Sequence, residues 1–423
     1  MPDETDSDPL ADWARSGAVS LTGRADGPPL VPPGDAATRA DWAAARLAAT
    51  TADSGYAVRL DGAALLAERA AFTGHWRQGQ LSAGGAARLL PTLDGWAAVS
   101  CARPDDPLLL AALVGEELLG DPWPTVAAWL RAHTGAELAE RAALLGLAAA
   151  PVDRATRPAV PPAGPPRSPE GLLVVDFSAL WAGPLCSHLL GLAGARVVKV
   201  ETPQRLDGAR RGSRGFYDLL HAGHRCVLLD PAAPGGRRAL AALVAAADIV
   251  IEASRPSALA GFGLNAAAAV EQGTIWVSIT AAGRDSPRVG FGDDVAAGAG
   301  LVAWDAGGHP VFCGDALADP LTGLLAAELA MSAPSGGRGV LFDIAMSGVV
   351  AASLAPACSV SAPAAARPSS APAARRAGHG WVVDTPSGPV PVAQPRARTP
   401  SGHVPGPGEH TGEVLRELGI PRP

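Results

Sequence analysis

The sequence predicts an α/β protein: a doubly wound parallel sheet with a smaller, more helical second domain. Three observations lead there. Between residues 172 and 345, short apolar runs alternate with helical patterns, as in a parallel sheet covered on both faces. Residues 1–150 read more as helices than as strands. Two Pro/Ala-rich stretches, 151–171 and 355–378, divide the chain and can bury little apolar surface.

The elements follow in order. LLVVDFS (172–178) reads as a buried strand. AGPLCSHLLGLAG follows as a helix, with Pro184 near its first turn and Gly194 past its end. RVVKVE (196–201) and CVLLD (226–230) are the next strands, and APGGRRALAALVAAA is helical. DIVIE (248–252) and TIWVSIT (274–280) are further strands, PLTGLLAAELAM a helix, and VLFDIA (340–345) a strand. In the first block, HTGAELAERAALLG carries a capping box, Thr134 with Glu137, and a stop at Gly146. EHTGEVLRELG, within 379–423, repeats that logic with Thr411 and Gly419. Residues 16–36 can also be laid against 297–316: each runs through a polar turn into an extended stretch ending in Gly-Asp-Ala.

Bulk properties narrow the function. The chain has 423 residues, 48% hydrophobic and 18% charged, with a net charge of −7. That balance implies no general affinity for nucleic acid or an anionic membrane. Cys101, Cys186, Cys226, Cys313 and Cys358 are scattered and odd in number, which speaks against a disulfide framework and for a reducing compartment. The acidic start, MPDETDSDPL, is unlike a secretory signal, and no apolar run approaches the roughly 20 residues that span a bilayer. A cytoplasmic protein is expected.

The first turn of the βαβ start, SALWAGP, lacks GxGxxG, which disfavours a dinucleotide. His221 and His224 have no acid or thiol at ligand spacing, so no metal is expected. Between residues 196 and 225, Arg196, Lys199, Arg205, Arg210, Arg211, Arg214 and Arg225 face only Glu201, Asp207 and Asp218 as acids. They either hold a phosphorylated ligand or form a solvated loop. Asp294 and Asp319 each precede a helical run, and Pro320 follows Asp319. Both fit N-caps. A helix N-terminus also keeps a carboxylate ionised, so a cap and a nucleophile are compatible readings.

The order of these pieces resembles the family III CoA-transferases, which include formyl-CoA and carnitine CoA-transferases and α-methylacyl-CoA racemases. VVDFSALWAGPLCSHLLGLAGARVVKVE, HAGHRCVLLDPAAPGGRRAL, ADIVIEASRPSALAGFGL, GDDVAAGAGL, GDALADPLTGLLAA and GRGVLFDIAMSGVVA follow in family order across 172–354. The resemblance implies a Rossmann-like CoA-binding and catalytic domain there. It makes 1–150 a small-domain-like segment, a partial family copy placed ahead, with 151–171 and 355–378 as linkers and 379–423 as a tail. It implies that Asp319 of ADPLTG is the nucleophile, assisted by Asp294. Trp181, Ala182, Leu229, Ala253 and Ser254 would then line coenzyme A, with Arg205 and Arg210 toward its phosphates. Gly84 and Gly85 would form the mobile loop over the site. Acyl-CoA and a carboxylic acid would be the substrates, without metal, in a homodimer that is interlocked in the family. Two departures stand out. Thr202, Ala232 and Gly261 replace basic residues of several members, and Asp293 stands where racemases carry histidine. The reading is therefore CoA transfer through an aspartyl-CoA thioester, with a racemase or epimerase, or a non-catalytic CoA-binding paralogue, as alternatives.

Overall fold

The computed structural model describes residues 8–152, 156–254, 256–333, 338–355 and 371–423. Residues 153–155 of the first Pro/Ala-rich stretch, and 356–370 of the second with Cys358, lie outside them. In the N-terminal block, β1 (Ala87–Pro91), β2 (Trp96–Ser100) and β3 (Ala149–Pro151) form an antiparallel sheet. Helices Asp106–Val114, Trp123–Arg131 and Gly135–Leu145 cover one face of it, burying Leu110, Val126, Leu130 and Leu138. Helices dominate this unit, yet a sheet lies at its centre. Short alanine-rich strands such as WAAVS give little alternation to read. The other face packs Ala87, Leu89 and Ala98 on Ala297, Val302 and Phe312, which joins the unit to the rest.

The large sheet contains β4 (Leu173–Asp176), β5 (Arg196–Glu201), β6 (Arg225–Leu228), β7 (Ile249–Glu252) and β8 (Ile275–Thr280). A hairpin of β9 (Val302–Trp304) and β10 (Pro310–Phe312) intervenes before β11 (Val340–Ala345). The order is β11-β8-β7-β4-β5-β6, every pair parallel. The chain winds outward from β4 to β6, then returns to start again at β7. This reversal lies between β4 and β7, and such sheets take ligands in the crevice that a reversal forms at the carboxyl ends of the strands. Alternate residues bury in opposite layers, as a pleat requires. Val174, Ile251, Val277 and Ile279 face helices Ala182–Leu192 and Ala318–Ala330. Val175, Val198, Val250 and Trp276 face Leu240, Leu243, Val414 and Leu415.

Helix Ala318–Ala330 lies against Ala182–Leu192, and Gly323 makes the approach possible. A Cβ there would stand 2.7 Å from the Ala182 carbonyl oxygen. The contact ties the start of one helix to the β4 turn. Residues 156–171 cross the same layer in extended form, held by Ala333 N–H to the Pro165 carbonyl (2.7 Å) and Arg167 N–H to the Met331 carbonyl (2.6 Å). β12 (Arg375–Ala377), β13 (Gly380–Thr385) and β14 (Gly388–Pro391) form a further antiparallel sheet.

The capping signals divide. The Thr134–Glu137 box and the Gly146 stop are present. At the tail, His410 precedes helix Thr411–Glu417, and Thr411 does not cap it. Its hydroxyl instead accepts the Leu228 N–H at 3.0 Å, docking the tail on β6. The two similar segments also match in path. Leu30 N–H meets the Thr22 carbonyl at 3.0 Å, where the other copy has its β9–β10 hairpin. Each then turns through a glycine of positive φ, Gly34 or Gly314, into a helix. Helices Ala36–Thr50 and Ala318–Ala330 are joined by Arg46, which donates to Glu328 at 2.6 and 2.8 Å.

Candidate active site

Asp319 sits in the first turn of helix Ala318–Ala330, but it is not the cap. The helix begins at Ala318, preceded by Leu317, and no side chain caps it. Pro320 is the third helical residue rather than the first. The positive φ of Ala316 (51°) explains the shift: it turns the chain sharply enough to start the helix early. The carboxylate of Asp319 makes no hydrogen bond to the protein among the described residues and remains partly exposed. It rests over Gly292, where a Cβ would stand 2.3 Å from Oδ2.

Helix Gly292–Gly298 supplies Asp293 and Asp294. Asp294 is not the N-cap either; it is the third residue. It is buried and accepts from Phe291 N–H (2.9 Å) and the Ser100 hydroxyl (2.8 Å). Asp293 accepts from Ala316 N–H at 2.9 Å. Asp315, fully buried, completes the group. Arg69 grips it with Nε (2.9 Å) and Nη2 (2.5 Å), and His75 Nδ1 lies 3.2 Å away. Arg69 also stacks on Trp181, its guanidinium carbon 4.8 Å from the ring centroid.

This crowding decides the charges. Burial works to raise Asp315, but the Arg69 pair overrides it and holds the acid far below the usual carboxylate range. Asp319 has no such partner. Burial pushes it up to about 7; Arg69 opposes this, while Asp293, Asp294 and Asp315 add to it. Burial likewise raises Asp293 and Asp294 to about 6. The expectation that a helix start would keep Asp319 readily ionised is thus reversed. Desolvation and three like charges exceed what one helix terminus contributes, roughly 0.3–1 kcal/mol.

Trp181 and Ala182 end the β4 turn, and Ala253 and Ser254 follow β7, so the two pairs flank the crevice. The Ala253 methyl approaches to 3.5 Å of a Cβ built on Gly183. Leu229 follows β6 but is buried at 1%, so only its backbone could meet a ligand. Trp181 is 2% exposed and forms the wall between Arg69 and Phe216. The non-glycine residues of positive φ among the described residues, Leu180 and Ala316, flank this region. Such backbone strain concentrates at functional sites.

The arginine expectation needs correction at Arg210. Its guanidinium donates to Glu201 through Nε (2.9 Å) and Nη2 (2.7 Å), and Asp207 N–H adds a bond at 2.7 Å. Burial would raise Glu201, but these bonds keep it below its ordinary value. Arg210 is therefore committed to a buried strand-end carboxylate, while Arg205 stays exposed in the next turn. Gly84 and Gly85 lie in the exposed turn before β1, and a Cβ on Gly84 would sit 3.2 Å from the His75 ring. That contact brings the turn against the acidic group. Arg69, His75 and Ser100 were missed in the sequence because their partners lie 246, 240 and 194 residues away. The fragment RAAFTGHW, with Arg69 and His75 six apart, was the one available hint.

A family model described as CoA-transferase family III matches residues 170–398. A succinyl-CoA–D-citramalate CoA-transferase of Chloroflexus aurantiacus is 30% identical over 200 residues, covering 43% of this chain and 49% of that protein. A succinate–glutarate CoA-transferase of Agrobacterium fabrum is 29% identical over 215 residues, covering 45% and 53%. The chain spans about half the length of the curated relatives it matches. A solved CAIB/BAIF family protein from Brucella suis aligns with TM-score 0.41 and 28% identity, over 45% of this chain and 56% of that one.

Proposed function

The chain belongs to CoA-transferase family III, and on that premise we propose that it moves CoA between an acyl-CoA and a free carboxylic acid, with Asp319 as the nucleophile. One observation carries the reading: a partly exposed carboxylate, without a hydrogen-bond partner among the described residues, stands at the helix start packed on the Trp181–Ala182 turn. The Asp319 carboxylate attacks the donor thioester carbonyl, forming a mixed anhydride and expelling CoA thiolate. The thiolate attacks the aspartyl carbonyl, releases the donor acid as its carboxylate, and leaves an aspartyl-CoA thioester. An acceptor carboxylate then repeats the steps in reverse. Each intermediate lies close in energy to a thioester, so no nucleotide is consumed. Asp294, tied to Ser100 on the small unit, acts as the assisting acid that fixes the helix beneath. The Gly84–Gly85 turn excludes water, which would otherwise hydrolyse the anhydride.

CoA lies along the crevice, with Trp181–Ala182 on one side and Ala253–Ser254 on the other. Arg205 reaches its phosphates. The test is hydroxylamine trapping during turnover: a hydroxamate should form on Asp319, and Asp319→Asn should abolish both hydroxamate and exchange. A hydroxamate on Asp294 or Asp315, or an active Asn variant, overturns the assignment. Deuterium wash-in at the α-carbon without any acceptor acid would select a racemase instead. CoA binding with no exchange would select a non-catalytic paralogue.

A further inference from the structure

Four carboxylates meet at the cleft, and Arg69 is the guanidinium bonded to one of them among the described residues. It comes from helix Glu68–Thr73 of the N-terminal block, outside the parallel-sheet domain. Its aim is set twice. Asp315 takes Nε and Nη2 in a bidentate pair, and the Trp181 ring supports the guanidinium face. Both supports belong to the sheet domain, and Asp315 is one of the charges that act on Asp319. The charged groups around Asp319 are Asp293 and Asp294 from helix Gly292–Gly298 and Asp315 from the preceding turn, with His75 beyond Asp315 and Arg288 beyond Asp294.

Resting on the reading of Asp319 as nucleophile, we infer that Arg69 is a positioning residue for the reaction: Asp315 and Trp181 aim a cation delivered by the N-terminal block, and its charge keeps the Asp319 carboxylate ionised for attack on the thioester. The geometry also gives Asp315 its role. It is the anchor of Arg69, and its two oxygens are occupied, so it cannot serve as the nucleophile. Burial and three aspartates favour the neutral form of Asp319, and Arg69 opposes them. The N-terminal block is then part of the catalytic machinery rather than an appendage.

The experiment reads the charge of Asp319 directly. A water-soluble carbodiimide labels protonated carboxyl groups, and peptide mass spectrometry follows Asp319 across pH in the full chain. Arg69→Gln should move the labelling midpoint up by one unit or more, while Arg69→Lys should move it less. CoA exchange by Arg69→Gln should fall about fivefold at pH 7, as the ionised fraction drops from about one half to one tenth, and recover above pH 9. Because Arg69→Gln leaves Asp315 buried without its partner, a second pair is compared: Asp315→Asn with and without Arg69→Gln. The double variant should titrate at least one unit above the single. An Asp319 midpoint indifferent to Arg69 in both pairs overturns the inference, as does exchange lost equally at every pH. Neither outcome touches the hydroxamate test, which judges Asp319 as nucleophile independently.

Discussion

Two segments of this chain lead into a helix from the same Gly-Asp-Ala, and only one places an aspartate four residues after the first. Gly34-Asp35-Ala36 leads into Ala36–Thr50, and Gly314-Asp315-Ala316 leads into Ala318–Ala330. Four residues after each aspartate the copies diverge, to Arg39 in the first and Asp319 in the second. In the first, Arg39 donates to Asp35 at 2.6 Å, an i,i+4 pair within one helix start. In the second, a carboxylate occupies that place, so Asp315 takes its cation from Arg69, 246 residues away, and Asp319 is left unpaired among the described residues. A local pair is self-sufficient. A pair made across the fold leaves the helix position without a local partner, at the expense of a crowded acid.

The comparison can be broken most severely at Gly292. A Cβ there would meet Asp319 Oδ2 at 2.3 Å and the Ala316 Cβ at 2.6 Å, so Gly292→Ala must displace the carboxylate. CoA exchange should fall by about 100-fold or more, since a displacement near 1 Å can cost that much. Overpacking should add a stability loss of about 1–3 kcal/mol. Steady-state exchange together with thermal unfolding measures both, and an unchanged kcat would show that Asp319 has room to move.

Next come the two partners of the equivalent aspartates. Arg69→Gln strands the buried Asp315 and should cost about 3–5 kcal/mol in urea unfolding at pH 7. Arg39→Gln, the matching change in the other copy, belongs at the far end of the scale. Arg39 is 35% exposed, and such helix pairs contribute only about 0.3–0.5 kcal/mol. Equal costs at the two sites would contradict the contrast between local and tertiary pairing.

Between these lies the charge of Asp319. Its folded value, about 7, exceeds the ordinary aspartate value of 3.8, so the folded state binds the proton more tightly than the unfolded chain does. The stability linked to that proton is fully present below about pH 4 and is lost as pH rises through 7. Asp319→Asn should therefore stabilise the protein above pH 7, with an upper bound of about 4 kcal/mol from the shift, and do little at pH 4. Exchange by the unaltered protein should rise with pH through about 7 as the nucleophile ionises. Melting curves of both forms from pH 4 to 9 check the sign; a variant that melts lower at pH 8 contradicts it.

The sequence by itself determined what depends on neighbours along the chain. The alternation of LLVVDFS, RVVKVE, CVLLD and DIVIE with helical segments specified the strands and the parallel sheet, because buried parallel strands are apolar whatever surrounds them. Thr134, Glu137 and Gly146 specified one helix completely, because a capping box closes within four residues. The ADPLTG motif made Asp319 the candidate nucleophile through its resemblance to a family. Local chemistry misjudged its surroundings: Pro320 suggested a cap, but the strained turn at Ala316 starts the helix at Ala318. Arg210 looked free for phosphates until Glu201, buried at a strand end, was seen to claim it. Only the tertiary structure decided that Arg69, His75 and Ser100 meet the acids, and hence which carboxylate is anchored and which is raised to about 7. The reason is physical: caps and periodicity act between residues a few positions apart, whereas burial and the pairing of charges depend on what the completed fold brings within a few ångströms.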